Sequence, residues 1–380
     1  MTADNLKSNE PGIQNVNNPH ENQSPNLTNI PSSATASNTP NPPNPPGASP
    51  HLQDRPCVLI TNLGSPENPS PPAVRKYLRE FLSDRRVIET HPLLWKPVLE
   101  CIILRVRPKA SGKKYETIWT ENGSPLVHYT QEQANYLSQK LCDVADVRWA
   151  MRYGKPATTD VLSEIYASGY RKLLVVPLYP QYSQVVGGTA MDKIYSWSMK
   201  SRDQFELRSV RSFPEHPAYI NAVAHAIETK WQKVGRPNFT AGDKLLLSYH
   251  GITKAMSDSG DPYDSECKAT TAAICQQLGI QIGTEGLHTY QSVFGPAEWL
   301  KPATIDTIAT LGKQGTKRVD VVCPGFVSDC LETLEEIETE NQEAFTKAGG
   351  QEFHYIPWGN NQEKWLFGLE TIVREALAGW

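Results

Sequence analysis

Thr316-Lys-Arg-Val-Asp-Val-Val-Cys-Pro324 has a basic start, four mainly apolar positions and a proline stop, which reads as a buried strand. Tyr170-Arg-Lys-Leu-Leu-Val-Val-Pro177 repeats the pattern earlier in the chain. A second pair, Val58-Leu-Ile-Thr-Asn-Leu-Gly64 and Leu245-Leu-Leu-Ser-Tyr-His-Gly251, shares a strand that ends just before glycine. Two such echoes in the same order imply two similar halves. About 115 residues separate the echo strands of the first half and about 74 those of the second, so the first half carries an insertion of roughly forty. That insertion lies at about 87–122 and contains His91-Pro-Leu-Leu-Trp-Lys-Pro-Val-Leu-Glu-Cys-Ile-Ile-Leu-Arg-Val-Arg-Pro108.

Outward from these strands, short apolar runs at 57–62, 147–152, 172–179, 245–250, 287–293 and 318–323 alternate with longer amphipathic stretches. This is the βαβ pattern of an α/β protein, with parallel sheets covered by helices. The last helix is expected at 362–377, where Trp365, Leu366, Leu369, Ile372, Val373 and Leu377 form one stripe.

The strand ending at Cys323 feeds a segment with a heavy carboxylate load. Leu331, Leu334 and Ile337 recur at three-residue spacing, which predicts an α-helix with that face in the core. Glu332, Glu336, Glu340 and Glu343 then run along another face, and no Lys or Arg stands between Arg318 and Lys347 to neutralise them. Like charges one turn apart destabilise a helix by roughly 0.2–0.5 kcal/mol per pair, so something positive is expected to face them. Either the row is a solvated acidic face, or it is a row of oxygen donors for a divalent cation. His250 stands at the end of another strand, ahead of the turn Gly260-Asp-Pro-Tyr263. Ligands of open α/β sheets bind outside the carboxyl ends of strands, so His250 and the 329–336 segment are expected to face one crevice.

Composition bounds the rest. The 380 residues suffice for two ordinary domains, and a net charge of −4 with no basic block gives no signature for nucleic acid. Seven cysteines are scattered, odd in number and without a C-x-x-C pair, which suits a reducing cytoplasm rather than a disulfide framework or a zinc ribbon. Residues 1–54 are half Asn, Pro or Ser, with Lys7 the only cation, and read as a disordered tail that is neither a secretory nor a mitochondrial leader. No apolar run reaches the ~18 residues needed to span a bilayer.

Several motifs now align with one family. Thr61-Asn-Leu-Gly-Ser-Pro66, Asn122-Gly-Ser-Pro125, Met151-Arg-Tyr153, Tyr179-Pro-Gln-Tyr-Ser183, Ser248-Tyr-His-Gly251 with Gly260-Asp-Pro-Tyr263, Gly295-Pro-Ala-Glu-Trp-Leu300 and Gly325-Phe-Val-Ser-Asp-Cys-Leu-Glu-Thr-Leu334 follow in order. Over 56–380 the chain resembles the ferrochelatases, which insert ferrous iron into protoporphyrin IX. The resemblance implies two Rossmann-like, chelatase-type domains, each a four-stranded parallel sheet flanked by helices, with a cleft between them. The domains are expected at 55–212 and 213–357, with the insertion as a hydrophobic lip and 358–380 as a helix packed on the body.

By position, the resemblance makes His250 and Glu332 the central pair, with Glu336 further along an acidic metal path, so that these three are the metal-handling residues. Leu63, Arg152, Tyr153 and Trp299 match positions that grip the macrocycle. Arg105, Arg107, Lys109, Tyr115 and Ser124 are of the types to bind propionates, Arg by bidentate pairing and Lys as a point charge. Leu93, Leu94, Trp95, Val98, Leu99, Ile102 and Ile103 of the lip either line the mouth, touch a membrane surface, or pack as a helical hairpin. Fe2+ is substrate, and no permanently bound cofactor is expected. Cys330 stands where many members have His, and Gln184 where the animal members have Cys. With no cysteine-bearing extension after Trp380, no [2Fe–2S] cluster is expected, and a bacterial cytoplasmic enzyme is favoured. Its partners are protoporphyrin IX and Fe2+, with transient contact to the inner membrane surface or an upstream porphyrin enzyme. The alternatives are a haem-binding carrier, which needs no acidic row, and a chelatase for another metal or a more carboxylated tetrapyrrole, which needs no lip. A metallohydrolase motif such as H-E-x-x-H is absent.

Overall fold

Strands β1 (Cys57–Gly64), β2 (Asp146–Tyr153), β3 (Lys172–Pro177) and β4 (Glu206–Ser209) form one sheet in the order β2-β1-β3-β4. Strands β5 (Lys244–His250), β6 (Gly286–Gln291), β7 (Arg318–Val322) and β8 (Glu352–Ile356) form a second in the order β6-β5-β7-β8. All pairs are parallel. The echo strands thus occupy equivalent places, β1 and β5 second in each sheet, β3 and β7 third. The computed structural model describes residues 53–293 and 295–380. The stretch read as a disordered tail therefore lies, up to residue 52, outside the described residues.

Sandwiched strands need side chains that tolerate burial on both faces, and β7 is buried at all five positions although it includes Arg318 and Asp320. Those two charges pair with each other, Arg318 Nε to Asp320 Oδ1 at 2.9 Å, and Asp320 also accepts from Trp231 Nε1 at 2.7 Å. The edge strands β4 and β8 were not legible in the sequence. Their Glu-Leu-Arg-Ser and Glu-Phe-His-Tyr-Ile sequences are short and half exposed, and pair on one side only.

One core cluster runs through both sheets, from Val58 and Leu174 to Tyr219, Leu245, Val322 and Trp365. Helix Glu363–Leu377 buries its predicted stripe there. A Cβ on Gly368 would meet the Ala218 carbonyl oxygen at 3.0 Å, so glycine is what lets this helix lie against helix Pro217–Val234.

The insertion is helical: Pro92–Val98, a π-turn over Leu99–Ile103, then Leu104–Ile118. Its apolar residues divide. Leu93, Leu94, Val98, Ile102 and Val106 face outward, with Leu93 78% exposed. Leu99 and Leu104 are buried against Leu82, and the Trp95 indole N–H donates to the Leu82 carbonyl at 2.7 Å. Leu99 and Trp95 are therefore hinge packing and not outer surface, because a helical hairpin must bury one side of itself.

Candidate active site

The acidic segment is not the α-helix that the spacing predicts. Residues Glu332–Asn341 form a ten-residue π-helix, followed by an α-helix over Gln342–Lys347. Side chains also reach five residues back, Asn341 Nδ2 to the Glu336 carbonyl at 2.7 Å and Thr339 Oγ1 to the Leu334 carbonyl at 3.1 Å. The buried stripe is accordingly Thr333, Ile337 and Asn341, four apart, while Leu331 and Leu334 are only partly buried. π-helices are rare and concentrate at functional sites, because the wider turn re-aims a row of side chains.

Its start is anchored by a buried carboxylate. Asp329 accepts from Thr333 Oγ1 at 2.9 Å, Tyr355 OH at 2.5 Å and Asn360 Nδ2 at 2.6 Å. Gln291, at the end of β6, donates to the Glu332 carbonyl at 2.8 Å and accepts from Ser248 at the end of β5. These contacts fix Glu332 in front of the strand ends. Its Oε2 accepts the Cys330 thiol at 2.9 Å, so Cys330 orients a carboxylate here.

His250 ends β5, half-buried, with its ring edge-on to Phe326 at 6.4 Å. Burial lowers its pKa and the nearby Glu332 charge opposes that shift, so the imidazole is held neutral beside a carboxylate. Glu336 stands next along the row. Its Oε1 accepts the Ser292 N–H at 2.6 Å and its Oε2 the Ser292 hydroxyl at 2.5 Å. Ser292 adopts φ +64°, which turns both donors onto the same carboxylate. Burial lifts the Glu336 carboxyl to about 7 against those hydrogen bonds, and the Glu332 and Glu340 charges add to the rise.

The first half meets this row with tyrosines. Burial raises the Tyr77, Tyr115 and Tyr179 hydroxyls, and the Glu332 charge reaches all three. The sequence grouped Tyr115 only with propionate binders, and the Glu332 charge acts on it as well. Tyr77, on helix Pro71–Leu82, and Tyr179, just after β3, were missed as site residues, since neither a helical nor a strand-end tyrosine carries a signal of what it faces. Also missed was the cation answering the acidic row. Lys114 Nζ, from the insertion, donates to Glu335 Oε2 at 2.9 Å and Glu340 Oε1 at 2.6 Å.

The remaining expected residues are dispersed. Leu63 is the partly exposed position near the end of β1, and the Trp299 ring packs over Gly251, 3.3 Å from where a Cβ would be. Arg105, Arg107 and Lys109 are exposed along helix Leu104–Ile118, and Ser124 is buried ahead of helix Pro125–Lys140. Arg152 and Tyr153 both engage Asp84. Arg152 ion-pairs with Asp84 and donates to the Thr189 hydroxyl at 2.8 Å, while fully buried Tyr153 donates to Asp84 at 2.9 Å. An inward arginine needs a carboxylate, and Asp84, at the approach to the insertion, supplies it. Among the described residues no group of three His, Cys, Asp or Glu surrounds a single metal-sized point.

Two parallel sheets of one strand order, with a histidine at the end of β5 and a carboxylate-rich π-helix following β7, define a chelatase-type α/β protein. The same fold is seen in the structure described as SirB from Bacillus subtilis with Fe3+, at TM-score 0.50 and 14% identity, covering 85% of this chain and 96% of that one. The ferrochelatase family model matches residues 55–377, and the ferrochelatase of Aromatoleum aromaticum (strain DSM 19018 / LMG 30748 / EbN1) is 45% identical over 331 residues, 86% of this chain and 89% of the relative. The chain belongs to the ferrochelatase family. It is a metal chelatase, a lyase of haem biosynthesis that inserts Fe2+ into a porphyrin.

Proposed function

We propose that the porphyrin is protoporphyrin IX, bound in the cleft with His250 over its pyrrole nitrogens and Fe2+ arriving along the π-helix. Insertion exchanges two pyrrole N–H protons for one Fe2+, so two protons must leave for each turnover. A histidine held neutral by burial accepts the first, and the adjacent Glu332 relays it outward. Glu336, ionising near neutral pH, is the next station for either metal or proton. Leu63 and Trp299 bound the macrocycle, and the tyrosines keep water from the reacting centre. Arg105, Arg107, Lys109 and Ser124 take the propionates, and Arg152 and Tyr153 stiffen the floor through Asp84.

Residues 55–212 supply the lip and tyrosine wall, residues 213–357 the histidine and acids, and 358–380 the closing helix. An exposed apolar lip suits a substrate that partitions into membranes, so the protein docks transiently on the inner face of the cytoplasmic membrane. No helix among the described residues is long and apolar enough to cross it. The seven free cysteines, with no paired spacing, support a reading without a [2Fe–2S] cluster.

The observation that carries the proposal is His250 at the carboxyl end of β5, where burial lowers its pKa and the Glu332 charge acts on it. The test is metal insertion with protoporphyrin IX and coproporphyrin III, each with Fe2+, Zn2+ and Co2+, for the wild type and His250→Ala. Protoporphyrin with Fe2+ should be the preferred pair, and His250→Ala should lose at least ~100-fold in kcat while porphyrin still quenches tryptophan fluorescence. Near-normal turnover of the variant would remove His250 from the chemistry. Haem binding without any insertion by the wild type would turn the reading to a carrier.

A further inference from the structure

We propose that Lys114 is a positioning residue of metal uptake, a resident counter-cation that holds the outer end of the carboxylate file until a divalent cation displaces it. The inference rests on the reading that the metal travels along the π-helix. Glu335 and Glu340 lie five residues apart, one wide turn of that helix, so their carboxylates come together at one ammonium, 2.9 and 2.6 Å away. Two carboxylates against one monovalent cation leave a net negative charge. They also present adjacent oxygen donors, the ligand type a hard or borderline divalent ion prefers.

The tether is built to exchange. Lysine is a point charge on a flexible stem, its side chain here is 43% exposed, and exposed ion pairs are individually weak. Glu335 is the buried partner, its side chain 14% exposed, so losing its cation without replacement is unfavourable. A divalent ion is the natural replacement. Lys114 immediately precedes Tyr115 on helix Leu104–Ile118, so the ion pairs tie that helix to the carboxylate row. Lys114 therefore competes with metal at the entrance.

Four variants of the full chain test this: Lys114→Gln, Lys114→Arg, Glu340→Gln and the double variant Lys114→Gln/Glu340→Gln. Thermal melts are titrated with Mg2+ and Zn2+ in the absence of porphyrin, and steady-state kinetics are varied in Fe2+. Lys114→Gln should bind metal roughly three- to tenfold more tightly in the melts and lower the apparent KM for Fe2+ by a similar factor, with kcat within about twofold. Lys114→Arg should raise KM, because a guanidinium forks onto both carboxylates and is harder to displace. Removing Glu340 from the Lys114→Gln background should cancel its gain, as expected of groups acting at one point. Unchanged metal affinity in Lys114→Gln overturns the proposal. So does weaker affinity, which would make Lys114 only a brace between the two helices. If the wild type inserted no metal, the chelatase reading would fail, while the porphyrin-free melts would still decide the role of Lys114.

Discussion

At the residue scale, Glu336 ties chemistry to pH. Burial raises its carboxyl from 4.5 to about 7, with the Ser292 hydrogen bonds opposing and the Glu332 and Glu340 charges reinforcing. Between those values the native state holds a proton that the unfolded chain has released. Its contribution to stability is therefore present below about 4.5 and lost as pH rises through about 7. Glu336→Gln keeps an acceptor for Ser292 but carries no charge, so its melting temperature should exceed the wild type's near pH 8 and match it near pH 4.5. The same titration predicts that the wild-type apparent KM for Fe2+ rises as pH falls below about 7, and that the variant loses this dependence. A parallel pH profile in both proteins would remove Glu336 from the metal route.

At the element scale, two π-segments shape the site, one under the acids and one at the bend of the lip. The bend lets the hairpin bury Leu99 while Leu93 and Leu94 stay outside. Their substitutions should therefore differ in kind. Leu99→Ala removes a side chain that is 2% exposed and should cost about 2–4 kcal/mol, seen as a lower urea midpoint. Leu93→Ser with Leu94→Ser should leave the midpoint unchanged. It should instead weaken sedimentation with anionic vesicles and raise the KM for vesicle-borne protoporphyrin, with little change for detergent-dispersed porphyrin. Equal loss in both assays would make the lip a wall of the cleft and not a membrane contact.

For the whole molecule, the halves are joined by buried polar contacts as well as by the continuous core. Gln133 Nε2, on a helix of the first half, donates to the Val327 carbonyl at 2.9 Å, the Ser328 hydroxyl at 3.2 Å and the Asn360 carbonyl at 2.9 Å. Ser183 donates to Asp261 at 2.9 Å, joining two motifs that stand far apart in sequence. Calorimetry should thus show one unfolding transition for residues 53–380, and two resolved transitions would mean the halves fold independently. Gln133→Leu leaves buried acceptors unpaired and should cost about 2–4 kcal/mol. Because Val327 and Ser328 lead into the π-helix, it should also lower kcat.

The sequence by itself determined the two halves, their parallel sheets and the strand-end histidine, because buried strands need continuous apolar runs and proline or glycine stops. It also marked the acids, since uncompensated charge on a helix is visible residue by residue. It could not show the helix type: Leu331, Leu334 and Ile337 satisfy an α-helical period, while the π-helix buries Thr333, Ile337 and Asn341, with Thr333 bonded to Asp329 and Asn341 to the Glu336 carbonyl. Nor could it show that Arg152 turns to Asp84, that Ser292 caps Glu336, or that Lys114 answers Glu335 and Glu340. Each of these joins residues distant in the chain, and local pattern carries no information about which side chains a fold brings together. The tertiary structure decided them, because a buried or crowded charge is stable only where packing delivers its partner.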